Sequence, residues 1–203
     1  PGTPQYLNLA THATYALAAA MFRDKRYTSW ILVNPQARPV LYYPLNNPPK
    51  PHGNAFATAQ NLKDLRAGKT FMSNVYYTPQ TGKASVDIYS PMITQPGQGS
   101  TLPPHKFLGF IRGTLNLDYI WNIVDADRGN NGTGSYAFIL DQNGVRIADT
   151  DHTRLFKAVA DLPQAVQQQI KRELRYGSTD DVPVLPDPTM ATELKNPANE
   201  VTF

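Results

Sequence analysis

A strand–turn–strand pattern at 136–148 constrains the fold of this chain more than any other stretch of its 203 residues. An apolar run at 136–140 leads into the turn Asp141-Gln142-Asn143-Gly144, and the segment 145–148 then alternates in polarity. An Asn-Gly pair supplies the positive-φ position that a tight turn needs, so the pattern predicts a β-hairpin. Taken alone, the pattern indicates a structural β-hairpin and nothing about function.

A weaker form of the same pattern lies near the start of the chain. Apolar segments at 30–33 and 40–43 flank a polar turn at 34–39. When the two patterns are superposed, Val33 falls on Leu140 and Asn34 falls on Asp141, an offset of 107 residues. The agreement lies in the pattern more than in the amino acids, and it predicts two similar modules in one chain.

The glycine-rich run at 127–134 is the clearest boundary between these modules. We expect an N-terminal helix at 1–28, a first module at 29–126 and a second module at 134–203. Hairpins followed by helices predict an α+β fold, with a long N-terminal helix before two modules that contain antiparallel sheets. The second module looks incomplete, because a strand is only starting at 200–203. We therefore interpret the chain as a portion of a longer protein whose signal or anchor lies outside it.

The N-terminal helix is predicted to start at Thr3 and Pro4, a helix cap followed by proline in the first turn. Apolar residues then recur at helical spacing as far as Met21. Alanines form a small-residue stripe along this helix, which would let a second helix approach closely: Ala10, Ala13, Ala16 and Ala20. The stripe either packs within its own domain or forms a homodimer contact, and both alternatives stay open.

Composition excludes several classes of protein. The absence of cysteine excludes disulfides, thiolate zinc sites and cysteine nucleophiles. The net charge is only +3, and the basic residues form small groups without interleaved aromatic residues, which argues against a nucleic-acid partner. No run of about 20 apolar residues exists, so any membrane attachment would come from segments outside this chain.

The first module continues with a helix predicted at 55–67, capped by Gly68, and with strands at 70–77, 84–91 and 107–115 before a short helix at 117–124. In this order the chain resembles the Cache domain, a PAS-like sensor module found outside the cell in bacterial histidine kinases, chemoreceptors and cyclic-dinucleotide enzymes. Six short motifs carry the resemblance: Ala67-Gly68-Lys69, Ser73-Asn74-Val75-Tyr76, Thr81-Gly82-Lys83, Ser90-Pro91, Leu108-Gly109-Phe110 and Leu117-Asp118-Tyr119. The resemblance implies a double Cache sensor with two PAS-like modules.

Double Cache domains bind small ligands in the membrane-distal module, which implies a site between residues 29 and 126. Amino-acid-binding members resemble one another in an Arg-x-Trp-Tyr run on the helix and in two carboxylates that hold the ligand amine. Here the helix reads Thr-Ala-Gln-Asn-Leu at 58–62, and the two carboxylate positions fall at Thr78 and Thr114. Because a buried ammonium needs a paired anion, we expect an organic acid or a neutral small molecule rather than an amino acid.

The candidate ligand-binding residues are the polar and aromatic side chains near that implied pocket: Asn61, Tyr76, Thr78, Asp87, Tyr89, Arg112 and Thr114. Arg112 is the most specific of them, since a guanidinium can hold a ligand carboxylate in a bidentate fork. Its alternatives are a solvent-facing place on an edge strand or a pair with Asp87. Tyr76 and Tyr89 either contact the ligand or pack in the core.

Catalytic motifs are lacking: the chain contains neither a nucleotide-binding glycine loop, nor a Gly-x-Ser-x-Gly elbow, nor a His-Glu-x-x-His zinc motif. We expect no enzyme activity, no cofactor and no metal, and we interpret Asp149, Asp151 and His152 as the solvated start of a helix. The favoured hypothesis is a ligand-sensing ectodomain of a transmembrane signalling receptor; the alternative is a ligand-free dimerisation module. We expect small apolar residues on the pocket side of the 136–148 hairpin, and therefore no ligand chemistry there.

Overall fold

The computed structural model describes residues 4–46, 59–78, 82–96, 102–130 and 132–195. The helices of these segments are α1 (Pro4–Arg23), α2 (Ala59–Arg66), α3 (Asp118–Ala126), α4 (Gln164–Glu173) and α5 (Pro188–Lys195). The strands are β1 (Tyr27–Val33), β2 (Pro39–Tyr43), β3 (Phe71–Met72), β4 (Tyr76–Thr78), β5 (Lys83–Ile93), β6 (Phe107–Asn116), β7 (Phe138–Leu140) and β8 (Arg146–Asp149). They form antiparallel sheets, which confirms the α+β fold. The predicted cap Thr3, the helix start at 55–58 and the strand at 200–203 lie outside the described residues.

The chain divides into two compact units, a first unit of Pro1–Asn74 with Ser85–Asn116 and a second unit of Val75–Ala84 with Leu117–Phe203. The boundaries predicted from the sequence at 28, 126 and 134 stay predictions. None of the helices in the described segments is both long enough and apolar enough to cross a membrane.

The first unit is built on a sheet with the strand order β2-β1-β6-β5-β3. Its core combines sheet residues with α2, since Leu65 is fully buried in one cluster with Ile31, Val33, Tyr89 and Phe110. α1 packs against β1 and β2, and its Leu17 is buried.

The strand predicted at 70–77 is interrupted between β3 and β4. Ser73 occupies the break, where its backbone N–H donates to the Asp87 carbonyl at 2.8 Å and its Oγ accepts from the Asp87 N–H at 2.9 Å. A side chain has thus replaced a main-chain acceptor of the ladder. The chain passes from the first unit into the second immediately after this point, between Asn74 and Val75.

The second unit contains the β7–β8 hairpin and a core of Val145, Ala158, Ile170 and Val182. The helical region predicted after Asp149 is a short 3₁₀ helix, His152–Arg154, followed by α4. Phe156 adopts φ 59°, which ends the first helical turn, and Leu174 adopts φ 48° at the end of α4. Leu174 is exposed at this end of the helix.

Two charged side chains of this hairpin, Arg146 and Asp149, are buried on β8. The interpretation of Asp149 as part of the solvated start of a helix is therefore wrong. Burial is tolerated because the two side chains pair with each other, with 3.5 Å between Arg146 Nε and Asp149 Oδ2. Arg146 also donates to the Leu185 carbonyl at 3.2 Å, a partner 39 residues away that hairpin periodicity alone could not indicate.

The two hairpins share the same turn, residue for residue, at an offset of 107 positions. Asn34 Oδ1 accepts from the N–H groups of Gln36 and Arg38 at 3.0 and 2.9 Å. Asp141 Oδ1 accepts from the corresponding N–H groups, those of Asn143 and Val145, at 2.8 and 3.0 Å.

The main chain repeats as well as the side-chain bonds. Each ladder shifts register at the equivalent step, between Leu32 and Val33 in the first hairpin and between Ile139 and Leu140 in the second. The left-handed position of the turn is Ala37 in the first hairpin and Gly144 in the second, with φ 60° and 77°. The superposition of Asn34 on Asp141 made from the sequence therefore holds in the hydrogen-bonding pattern.

Asn34→Ala is expected to lower the free energy of unfolding by about 1–2 kcal/mol, because it removes the side-chain oxygen that accepts hydrogen bonds from two turn N–H groups. Asn34→Asp keeps the acceptor oxygen and copies the residue found at Asp141, so it is expected to be nearly neutral. Urea denaturation of both variants measures the difference. Equal losses would mean that the turn does not depend on this oxygen.

Candidate functional site

Four of the seven predicted site residues lie together on one face of the first unit's sheet. Asp87 and Tyr89 belong to β5, and Arg112 and Thr114 belong to the neighbouring strand β6. The register places Asp87 opposite Thr114 and Tyr89 opposite Arg112. Since alternate residues of a strand share a face, all four side chains project to the same side of the sheet. We call these four residues the Asp87–Arg112 cluster.

A buried ion pair forms the centre of this cluster. Arg112 Nη1 lies 3.4 Å from Asp87 Oδ2, and the two side chains are 1% and 2% exposed. The Thr114 hydroxyl donates to the other carboxylate oxygen, Asp87 Oδ1, at 2.7 Å. Because β6 lies between β1 and β5, the alternative of a solvent-facing arginine on an edge strand is wrong, and the structure shows the other alternative, a pair with Asp87.

Tyr89 completes the cluster and joins it to the apolar core. Its hydroxyl donates to Asp87 Oδ2 at 3.4 Å, and its ring stacks on Phe71 with centroids 4.4 Å apart. Burial raises the pKa of the Tyr89 hydroxyl to about 12, and the negative charge of Asp87 adds to the rise while Arg112 opposes it. The phenol therefore stays protonated at neutral pH and serves as a hydrogen-bond donor.

The other three predicted residues belong to other elements. Asn61 is half-buried on α2, beside the core residue Leu62. Tyr76 is buried and Thr78 half-buried on β4, and both belong to the second unit. The structure thus brings together the four β5 and β6 residues within the first unit.

Two serines next to the cluster were missed from the sequence. Ser73 bonds to both main-chain polar groups of Asp87, and the buried Ser29 on β1 lies opposite Thr114. Ser73 was within reach of sequence reasoning, because it opens one of the motifs that carry the family resemblance. Ser29 alternates with Ile31 and Val33 on β1, but its position beside β6 depends on strand order, which no local pattern indicates.

The cluster is polar but electrically neutral. Asp87 and Arg112 compensate each other, so the cluster adds no net charge to the core, while hydroxyl groups of Thr114 and Tyr89 surround the carboxylate. Within the described segments, His, Asp and Glu residues form no group of three that could hold a metal ion. The chemistry present is hydrogen bonding and charge pairing on a rigid sheet.

Sequence comparison adds little to this picture. No protein-family model matches the chain, and no curated protein has a significantly similar sequence. The structural comparison is informative, because it detects folds whose sequences have diverged.

The sensor domain of the Vibrio cholerae histidine kinase DctB superposes on 89% of this chain with a TM-score of 0.60 and 16% sequence identity. This chain spans 63% of the length of that DctB domain. The ligand-binding domain of the Pseudomonas aeruginosa PAO1 amino acid chemoreceptor PctC, solved in complex with GABA, superposes on 78% of this chain and 75% of its own length. Its TM-score is 0.51 and its identity 16%. The resemblance predicted from the sequence is thereby confirmed at the level of the fold: the chain has the PAS-like α+β fold of Cache-type extracellular sensor domains.

Proposed function

We propose that this chain is a non-catalytic, extracytoplasmic sensing domain of a membrane-anchored signalling receptor, and that it binds a small molecule at the Asp87–Arg112 cluster. The observation that supports this most is the burial of an ion pair at the centre of the sheet. Buried pairs contribute less to stability than apolar residues of similar volume often do, so stability alone does not account for the pair. Recognition of a polar ligand does account for it.

An organic acid or a neutral polar molecule is the proposed ligand class. The Asp87 carboxylate is already compensated by Arg112 and accepts from Thr114, so it is a poor partner for a ligand ammonium. The resemblance to the Cache domain implies that Thr78 and Thr114 occupy the two positions at which amino-acid-binding members have carboxylates. A weakly anionic or neutral ligand can instead accept hydrogen bonds from the Arg112 guanidinium and donate to the Thr114 and Tyr89 hydroxyl oxygens, whose own hydrogens are directed at Asp87. The GABA bound by PctC, in contrast, carries an amine.

In this proposal the output domain, whether histidine kinase, chemoreceptor or cyclic-dinucleotide enzyme, lies outside the chain, and so does any catalysis. A ligand alters receptor output only by binding one conformation of the sensing domain more tightly than another. α1 packs directly on β1, the strand beside β6, and so offers a direct connection from the cluster to the N-terminal helix.

Isothermal titration calorimetry tests the proposal with monocarboxylic acids, dicarboxylic acids, sugars, amines and amino acids. We expect at least one acid or neutral compound to bind, and Thr114→Val to weaken it by about 3- to 10-fold through loss of one hydroxyl. Thr192→Val, at an exposed threonine of α5, is the matched control and should leave affinity unchanged. Absence of binding across the panel, or equal affinity for wild type and Thr114→Val, would contradict the proposal.

The second candidate function is homodimerisation through α1. This helix exposes three large apolar side chains, Leu9, Tyr15 and Phe22, at 63%, 69% and 80%. Burying such side chains against a second copy would remove apolar surface from water. Analytical ultracentrifugation of the same calorimetry samples decides it: a dimer that Phe22→Ser dissociates supports the role, and a monomer at all concentrations overturns it.

A further inference from the structure

We propose that the second unit carries a separate site for a small organic anion, in a cavity of about 360 Å³ lined by Arg128, Ser135, Tyr136, Thr150, Asp151 and Arg154. None of these residues belongs to the Asp87–Arg112 cluster, and all of them lie in the second unit. Binding at this site therefore does not depend on ligand binding at the Asp87–Arg112 cluster of the first unit.

The charge of the lining favours an anion. Arg154 Nε lies 3.2 Å from Asp151 Oδ2, while Asp151 Oδ1 accepts from the Thr153 N–H and hydroxyl at 3.0 and 2.7 Å. The one acidic side chain of the lining is thus compensated by groups at the cavity. Arg128 forms no ion pair within the described part of the chain, so two arginines against one aspartate leave a positive wall. A ligand oxyanion can bind there in a charge-assisted hydrogen bond.

Ser135 supplies a second, independent indication. Its Oγ is buried, and no residue that the structure describes forms a hydrogen bond with it. A buried hydroxyl left without a partner costs free energy, and native proteins normally satisfy such groups. An anion in the cavity would provide the acceptor that the hydroxyl lacks once the Ser135 side chain rotates to bring its Oγ to the cavity surface.

Tyr136 indicates what the rest of the ligand is like. Its ring is 52% exposed and stacks on Phe138 with centroids 5.8 Å apart, while the Arg154 guanidinium lies 5.2 Å from its centroid. This makes a flat apolar wall beside the charged groups. The cavity volume falls at the lower end of the range of about 300–1,000 Å³ typical of ligand pockets. The fitting ligand is therefore an acid or phosphate ester with a small flat apolar body.

Calorimetric titration of the whole chain with phenyl phosphate, benzoate and inorganic phosphate tests this inference. We expect phenyl phosphate to bind more tightly than inorganic phosphate, because only the former contacts Tyr136. Benzoate binding as tightly as phenyl phosphate would assign the site to carboxylates, and weaker benzoate binding would assign it to phosphate esters; both support an organic anion. Arg128→Gln is expected to weaken phenyl phosphate about 10-fold. Arg172→Gln, at an exposed arginine of α4, is the matched control and should have no effect.

Ser135→Ala separates binding from folding. Because the hydroxyl has no partner among the described residues, its removal is expected to weaken phenyl phosphate about 3- to 10-fold without lowering the melting temperature. Three results would overturn the inference: no binding of phenyl phosphate or benzoate at millimolar concentration, equal effects of Arg128→Gln and Arg172→Gln, or a loss of binding in Thr114→Val that Arg128→Gln does not share. The last result would place the anion in the first unit.

Discussion

Replacing Arg112 by methionine is expected to lower the free energy of unfolding by about 3–5 kcal/mol, the cost of breaking a buried ion pair by removing one partner. The substitution keeps most of the side-chain volume but removes the charge that compensates Asp87. The Asp87 carboxylate is 2% exposed, so water cannot replace the guanidinium. Urea denaturation followed by circular dichroism measures the loss, with an unchanged m-value showing that the unfolding transition itself is the same.

Two further variants show whether the loss arises from the buried charge. The double variant Asp87→Leu with Arg112→Met removes both charges and is expected to recover most of the loss, because no uncompensated carboxylate remains. Arg26→Met breaks a more exposed pair of the same unit, Arg26 with Asp24 at 2.7 Å, and should lower the stability much less than Arg112→Met, because water solvates both groups. Two results would contradict this explanation: Arg112→Met as stable as Arg26→Met, or the double variant no more stable than Arg112→Met. Either would show that the Asp87–Arg112 pair is not a buried electrostatic contact of this kind.

Local chemistry explains which parts of the fold the sequence could predict. The hairpin turns are determined by side chains that bond to main-chain groups two and four residues away, as Asn34 and Asp141 do. Alternation along the segment 84–91 likewise placed Asp87 and Tyr89 on one face of the strand, whereas Arg112 and Thr114 became candidates through the family resemblance. These features depend on periodicity and on bonds between residues close in sequence, so they can be predicted from the sequence alone.

The rest depended on contacts between residues distant in sequence. The order β2-β1-β6-β5-β3 places β6 inside the sheet, and this order decides whether Arg112 faces solvent or Asp87. The segment 70–77 was predicted as one strand, and the family resemblance implied pocket positions at Tyr76 and Thr78. Ser73 interrupts that strand, and the chain enters the second unit after Asn74. The burial of Arg146 also depends on a distant contact, because its side chain donates to the Leu185 carbonyl. Hairpin periodicity does not predict this contact.

Gly109→Ala is expected to destabilise the first unit by about 2–5 kcal/mol, combining backbone strain with overpacking. Gly109 has φ +123°, a conformation that L side chains rarely adopt. A Cβ at this position would lie 2.0 Å from the carbonyl oxygen of Val33. The obstacle is main chain, so no rotamer change can relieve it, and β1 would have to move away from β6 at the edge of the buried core. This steric requirement also gives a physical reason for the glycine in the Leu108-Gly109-Phe110 motif.

Gly68→Ala is the matched control, because Gly68 also has a positive φ, +82°, and ends α2 in the same unit. The nearest atom to its added Cβ would be Ile93 Cδ1 at 3.6 Å, an ordinary contact, so only the left-handed backbone is penalised, by about 1–2 kcal/mol. Urea denaturation of both variants separates strain from collision. A larger loss of unfolding free energy for Gly109→Ala than for Gly68→Ala would mean that the Val33 carbonyl requires glycine at 109 for the close approach of β1 and β6. Equal losses would mean that only the backbone conformation requires glycine there. Arg112 lies opposite Ile31 in the same strand pair, β1 and β6. If the close approach of these strands is required, Gly109→Ala should lower both the stability and the affinity for a ligand at Arg112. Gly68→Ala should leave that affinity unchanged.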